Sequence, residues 1–314
     1  MDVEQYFEGK TKPQTVLVTG SAGMIGSELA TKLSLQGRKV IGFDITPPLP
    51  HTVLYETVKG DLTDRKAISK LFKKYSFDGV IHCGGISGPM VKPEDPGAVC
   101  AINIEATISL LEAARQLNIS RFVYCSSISA YGDISQDTVS EDGSFRPVDV
   151  YGATKAACDV LVHSYRMEHM LSGVALRIGR VYGPGRTTES LIADLISDAL
   201  EGRSSRPLGD GTNRYHYIYR DDVVSALVLA LDAGHDLSSA YNIAGYDIAS
   251  DAEVANIVSN HLPNADIIFG LPENSLVTKR PFLDISAAQL DLNYSPKFDL
   301  NKGIIAYIEW MQNK

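Results

Sequence analysis

Apolar residues in this chain come in short runs that alternate with longer stretches of helical period. Thr15-Val-Leu-Val-Thr19 is a β-branched run that predicts a buried strand, and Ser27 to Gln36 repeats its apolar positions as an amphipathic helix does. Lys39-Val-Ile-Gly-Phe43, Val53 to Val58 and Gly79-Val-Ile-His82 predict three more strands, with a helix from Asp64 to Lys74 before the last. A long helix is expected from about Pro96 to Leu117. A fifth strand follows over Arg121–Ser126, then a helix from Tyr151 to about Met170 and a sixth strand over Val174–Gly179. Such alternation predicts an α/β fold with a mostly parallel sheet covered on both faces.

After Val181-Tyr-Gly-Pro-Gly185 the alternation weakens. Thr187 to Glu201 reads as a helix and Pro207 to Thr212 as a turn-rich hairpin. Tyr217–Val223 leads into a helix to Leu231, and Ala240–Ala244 is a seventh strand. The tail alternates helices near Ser250–His261, Ile285–Leu290 and Leu300–Met311 with short extended pieces, and residues 1–13 look like a loose polar arm.

The junction after the first strand carries the first chemistry. Gly20-Ser-Ala-Gly23-Met24-Ile25-Gly26 lies between strand and helix, where unpaired N–H groups and the positive dipole end suit a pyrophosphate. Gly20 permits the tight turn, Gly23 the approach of phosphates, and Gly26 close packing of helix on strand. Asp44 ends the second strand with no Arg after it, which favours NAD over NADP by accepting from the ribose hydroxyls and repelling a 2′-phosphate. A plain loop Asp is the alternative. Asp61, before Leu62, can accept from the adenine amino group or cap the following helix. Gly84 and Gly85 let backbone approach a cofactor. The expected architecture is thus a doubly wound Rossmann sheet over 1–180 and 218–248, with a smaller C-terminal substrate domain over 181–217 and 249–314.

Tyr151-Gly-Ala-Thr-Lys155 opens its helix with a phenol and an ammonium one turn apart on one face. A fixed positive charge favours the phenolate, which makes the pair a plausible base. An amphipathic helix that happens to begin with Tyr is the bland alternative. Ser126 and Ser127 end the fifth strand, where open α/β sheets bind ligands. Asn103 falls inside a helix that its residue type disfavours, either exposed or placed for a purpose.

Composition narrows the partners. The net charge is −9 with no Lys/Arg run, which argues against nucleic acid or an anionic membrane. No apolar stretch is expected to reach membrane-spanning length, and no signal-peptide core stands at the N-terminus. The four cysteines are scattered, as expected of reduced thiols in a cytoplasmic protein without a metal site.

Taken in order, Thr19-Gly-Ser-Ala-Gly-Met-Ile-Gly26, Asp44, Asp61-Leu62, Asn103, Ser126-Ser127…Tyr131-Gly132, Tyr151-x-x-x-Lys155, Arg177…Tyr182-Gly183-Pro184 and Asp221-Asp222-Val223 resemble the extended short-chain dehydrogenase/reductases, the NAD-dependent epimerase/dehydratase family. The resemblance spans roughly residues 15–245. It implies NAD as cofactor, held by Gly20, Gly23, Met24, Ile25, Gly26, Asp44, Asp61, Leu62, Gly84, Gly85, Ser126, Tyr151 and Lys155. It implies Tyr151 as general base and acid, and Lys155 as the ammonium on the nicotinamide ribose. Ser127 becomes the hydroxyl on the substrate oxygen, with Ser126 its rival, and Asn103 the organiser of the site around Lys155. It also implies a homodimer built from the Pro96–Leu117 and Tyr151–Met170 helices.

Two departures matter. Family dehydratases carry an Asp-Glu pair after the serine or threonine; here those places hold Ile128 and Ser129, which argues against a 4,6-dehydratase. The stretch resembling the family's diphosphate grip reads Gly209-Asp-Gly-Thr-Asn-Arg214-Tyr215-His216, with Arg214 one place early and Tyr215 in the Arg position. Arg280 echoes a second phosphate contact, and Ser87, Arg186, Arg214, Tyr215 and Arg280 are the candidate substrate contacts. A sugar-nucleotide 4-epimerase of the UDP-hexose type is the first expectation. A net NAD-dependent dehydrogenase of a small polyol, sugar acid or hydroxy amino acid is the alternative.

Overall fold

The computed structural model describes residues 14–48, 52–92, 94–134, 136–234, 237–271 and 281–314. Its main sheet contains β1 (Thr15–Thr19), β2 (Lys39–Asp44), β3 (Glu56–Lys59), β4 (Gly79–His82), β5 (Arg121–Ser127), β6 (Gly173–Ile178) and, later in the chain, Ala240–Ile243. The spatial order runs from Ala240–Ile243 through β6, β5, β4, β1 and β2 to β3, and every pairing is parallel. The order reverses between β1 and β4, so the C-terminal ends of these two strands flank a crevice.

Both faces of the sheet are buried, and alternate residues of one strand feed different cores. Val16 and Val18 join Leu29 and Leu33 of helix α1 (Met24–Leu35) and a helix at Arg220–Asp232. Leu17 joins Ile68, Leu71 and Phe72 of α2 (Arg65–Lys74), Leu110 and Leu111 of α3 (Pro96–Gln116), and Cys158 and Val162 of α4 (Val150–His169). A doubly wound sheet results. By length and apolar composition alone α3 could cross a bilayer, contrary to the sequence expectation. Its Ala106, Leu110, Leu111 and Ala114 are fully buried in the protein.

The chain leaves the main sheet after Gly179. A smaller three-stranded sheet forms from β7 (Arg180–Tyr182), β8 (Arg214–Tyr219) and Ile248–Ser250. It shares a third core with Leu191–Leu200, Asp251–His261 and Leu300–Gln312, through Tyr182, Leu195, Ile196, Tyr217, Val254, Val258, Ile304 and Tyr307.

Three expectations need correction. β3 begins at Glu56 rather than Val53, because Tyr55 turns into the core and its hydroxyl donates to the Ser21 carbonyl at 2.9 Å. The helix expected from Thr187 starts at Leu191. Pro207–Thr212 does not close a hairpin: β8 is occupied by β7 and Ile248–Ser250, and Ser204–Ser205 pairs with Asp266–Ile267 instead.

Candidate active site

The glycine turn lies at the crevice. Gly20 has φ +67°, and a Cβ there would come within 2.7 Å of the Gly84 backbone, so the loops after β1 and β4 pack against each other. A Cβ on Gly26 would stand 2.1 Å from the Gly20 carbonyl oxygen. Among the described residues no side chain caps the α1 N-terminus, where Ala22 and Gly23 are exposed; the Gly23 N–H donates to the Gly20 carbonyl at 3.0 Å. Met24 backs onto Gly185 from the loop after β7, and Ile25 packs on the core. Asp44 ends β2, with one carboxylate oxygen accepting from Ala22 N–H at 3.0 Å and the other from Thr46 N–H at 3.1 Å. Asp61 is exposed and accepts from the Thr63 amide and hydroxyl. The cap of α2 is Asp64, which accepts from Lys66 N–H at 2.8 Å, so the helix-capping alternative for Asp61 falls away. Leu62 packs on Gly84.

Asn103 is buried in a π turn, Ala101–Glu105, within α3. Its Oδ1 accepts from Ile86 N–H at 2.8 Å, and its Nδ2 donates to the Ile86 carbonyl at 3.3 Å and to Thr154 Oγ1 at 2.9 Å. Thr154 in turn donates to the Tyr151 carbonyl at 2.7 Å. Asn103 therefore ties the glycine-rich loop after β4 to the first turn of α4. Its bonds run to Ile86 and Thr154, and the expected link to Lys155 is indirect. A π turn offsets the helix ladder by one residue, which places this amide where a regular helix would not.

Tyr151, Lys155 and Ser127 are 8 %, 7 % and 8 % exposed. Asp149 caps α4 by accepting from Gly152 N–H at 2.6 Å. A Cβ on Gly152 would meet the Ser129 carbonyl oxygen at 2.5 Å, so this glycine lets α4 press on the turn that follows β5. Lys155 Nζ donates to the Cys125 carbonyl at 2.8 Å and lies 4.9 Å from the Tyr124 ring centre and 5.8 Å from that of Tyr151. Ser127 Oγ accepts from Ser129 N–H at 3.1 Å, leaving its own hydrogen to donate. Ser126 Oγ is buried with no hydrogen-bond partner among the described residues. Tyr151, Lys155, Ser126, Ser127 and Asn103 thus gather at the C-terminal ends of β4 and β5.

Behind them lies His82, whose role the sequence did not signal. Its Nδ1 is 2.7 Å from Thr19 Oγ1 and its Nε2 3.1 Å from Thr107 Oγ1. Thr19 Oγ1 accepts from Gly84 N–H and Thr107 donates to the Asn103 carbonyl. The neutral tautomer with hydrogen on Nε2 satisfies every member of this chain. Burial, and then the charge of Lys155, hold the His82 pKa down at about 3, against an ordinary 6.5. Below pH 6.5 the unfolded chain takes up a proton that the folded protein refuses, so stability present above 6.5 is lost as pH falls towards 3. Between pH 6.5 and 5 the loss from this group should be roughly 2 kcal/mol. Urea titrations at both pH values should show a flatter dependence for His82→Gln than for the unmodified chain; parallel curves would remove His82 from the account.

The candidate substrate contacts scatter more. Ser87 is exposed beside the loop after β4. Arg186 is half-buried and donates to the Val181 and Glu189 carbonyls. Arg214 is exposed and donates to the Ile248 carbonyl, whereas Tyr215 carries the Arg180 guanidinium on its ring, 3.8 Å from the ring centre. Arg280 lies outside the described residues. Arg180 was missed because finding it needs the pairing of β7 with β8, which a sequence does not display.

The model of the "NAD dependent epimerase/dehydratase family" matches residues 16–244. A UDP-glucuronate 4-epimerase of Arabidopsis thaliana is 30 % identical, over 94 % of this chain and 75 % of the relative. A dTDP-glucose 4,6-dehydratase of an Actinoplanes strain is 28 % identical, over 94 % of this chain and 97 % of that one. The structure is similar to that of the UDP-glucuronic acid 4-epimerase from Bacillus cereus in complex with UDP-glucuronic acid and NAD. That likeness has a TM-score of 0.83 and 30 % identity, over 95 % of this chain and 99 % of that chain.

Proposed function

We propose that this chain, which belongs to the NAD dependent epimerase/dehydratase family, is a 4-epimerase of nucleotide sugars of the UDP-hexose or UDP-hexuronate kind. The observation that carries the reading is the convergence of a Tyr phenol, a Lys ammonium and a Ser hydroxyl at the crevice of an NAD-binding sheet.

The residues fit NAD. At Gly20 and Gly26 a Cβ would collide with backbone, and among the described residues no side chain caps the α1 N-terminus and Ser126 Oγ is buried without a hydrogen-bond partner. Asp44 closes the strand beside the glycine turn, and among the described residues it forms no ion pair with an Arg. Bound there, NAD would supply the hydride acceptor and donor for carbon 4 of the sugar. Tyr151 takes the proton from the 4-hydroxyl, and Lys155 stabilises the phenolate electrostatically. Ser127, already accepting from Ser129, turns its hydrogen towards the substrate oxygen. The oxidised sugar then turns over, and Tyr151 returns the proton as the other face is reduced. Segments 181–217 and 249–314 carry substrate recognition.

Elimination of water is not part of this reading. The turn after Ser127 holds Ile128 and Ser129, neither of which can serve as the acid and base of a dehydratase. Net oxidation of a free sugar acid is the second reading, favoured by the displacement of Arg214 to the exposed side of β8. Nuclear magnetic resonance of UDP-glucuronate or UDP-glucose incubated with the protein and NAD separates the two. A 4-epimer without growth of NADH absorbance supports epimerisation, and NADH growth with free sugar acids supports the dehydrogenase.

Asp44 should set cofactor preference: NAD binds more tightly than NADP, and Asp44→Ala narrows the gap. Titration of both dinucleotides against both proteins tests this, and a preference for NADP in the unmodified chain contradicts it. We further propose a two-fold dimer through α3 and α4. Val160 and Met167 of α4 are exposed apolar side chains consistent with such a contact. Light scattering should report about twice the 34.1 kDa chain mass at micromolar concentration; a monomer alone would contradict the dimer.

A further inference from the structure

Two guanidinium groups, those of Arg180 and Arg186, lie on β7 and on the loop after it, and among the described residues neither forms an ion pair with a carboxylate. Arg180 opens β7 and pairs in register with Tyr217 of β8. Its guanidinium lies on the Tyr215 ring, 3.8 Å from the ring centre, and 6.0 Å from that of Tyr217. The side chain is half-buried, yet among the described residues it forms no hydrogen bond and no ion pair. Among the described residues its five N–H donors and full charge are thus held by stacking. The carboxylate that feels it, Asp251, is engaged by the Tyr217 hydroxyl at 3.4 Å.

Arg186 follows on the loop after β7. Backbone carbonyls of Val181 and Glu189 fix its fork, at 2.6 Å from Nη1 and 3.0 Å from Nη2; among the described residues it forms no ion pair, and the Asp194 carboxylate acts on it only electrostatically. Burial and then the charge of Arg180 push its pKa down. Arg186 also interacts electrostatically with Tyr151, which links the stacked Arg180 to the reacting phenol. Two like charges held half-buried repel each other, and an oxyanion between them relieves the repulsion while using the free donors.

The neighbouring strand explains why Arg180 is needed. Along β8 a shift of one residue turns a side chain to the opposite face. Arg214 is so turned, exposed and bonded to the Ile248 carbonyl, and Tyr215 takes the inward position. β8 therefore supplies an aromatic platform and β7 the cation that rests on it.

We propose that Arg180 and Arg186 hold an anionic group of the substrate above Tyr215, and that Arg180 determines which anionic substrates bind. The group is an oxyanion, either the diphosphate of a nucleotide sugar or the carboxylate of a hexuronate. The proposal rests on reading the cleft beside Tyr151 as the substrate site.

Calorimetric titrations of the NAD-loaded protein with pyrophosphate, UDP, UDP-glucose and UDP-glucuronate test it in the unmodified chain and in Arg180→Met. Arg180→Met keeps the stem on Tyr215 and removes the fork. It should bind at least one probe about tenfold more weakly or worse, the scale of a charge-assisted contact. Loss shared by pyrophosphate, UDP and both sugars assigns the pair to the diphosphate. Loss confined to UDP-glucuronate assigns it to the sugar carboxylate. Arg180→Lys, which keeps the charge and guards against misfolding of the Met variant, should recover part of the loss. Unchanged NAD affinity in both variants shows that the fold is retained. Equal behaviour of unmodified and variant proteins towards all four probes would overturn the proposal. Arg180-dependent binding of pyrophosphate by a protein that neither binds nor converts the nucleotide sugars would instead overturn the epimerase reading and leave the anion site standing.

Discussion

Tyr151→Phe should give a folded protein that binds NAD and has lost at least about a hundredfold of its turnover, the low end for removing a general base. Tyr151 is largely buried, so the ring is needed for packing and Phe preserves it. Its hydroxyl has no hydrogen bond among the described residues, so deleting it orphans no buried partner and should change stability little. The proton transfer, by contrast, has no other phenol at the first turn of α4. Circular dichroism melts and NAD titration beside a turnover assay separate these effects. Near-normal turnover in Tyr151→Phe would remove the phenol from the chemistry; a collapsed melting temperature would make its role structural.

Lys155→Met should damage both functions at once. The ammonium donates to the Cys125 carbonyl and rests over Tyr124, so its position is fixed before any ligand arrives. In the proposed mechanism this ammonium assists proton removal by Tyr151, so turnover should fall by about a hundredfold or more. If Lys155 also meets the nicotinamide ribose, NAD should bind about tenfold more weakly, as expected for a lost charge-assisted hydrogen bond. A third readout follows from His82, whose pKa the Lys155 charge depresses: the pH dependence of stability should become shallower in the variant. An NAD affinity equal to that of the unmodified protein would confine Lys155 to tuning Tyr151.

The main sheet was legible because its strands are apolar on both faces and its helices carry a helical period. Thr15–Thr19 and Gly79–His82 begin and end where their residues say. The glycine turn was legible for a steric reason: at Gly20 and Gly26 the fold leaves no room for a Cβ. Asn103 drew notice as a poor helix residue, but the π turn that aims it at Ile86 and Thr154 has no sequence mark. His82 read as one more strand residue, since its two threonine partners come from β1 and α3. Arg180 was invisible for the same reason. Its meaning depends on which strand lies beside β7 and on the face Tyr215 presents, and both are decided by long-range pairing. A candidate pair written within one turn, such as Tyr151 and Lys155, can be picked out in the sequence, whereas contacts assembled between elements cannot.

The central claim is that carbon 4 of a nucleotide sugar is transiently oxidised and reduced again by the same hydrogen. UDP-glucuronate and UDP-glucose carrying deuterium at carbon 4, incubated with the protein and NAD in ordinary water, test this directly by mass and proton spectra. The account predicts a 4-epimer that keeps its deuterium at carbon 4, with no accumulation of NADH. Deuterium lost to solvent, or passed into accumulating NADH with a keto sugar left behind, would contradict it.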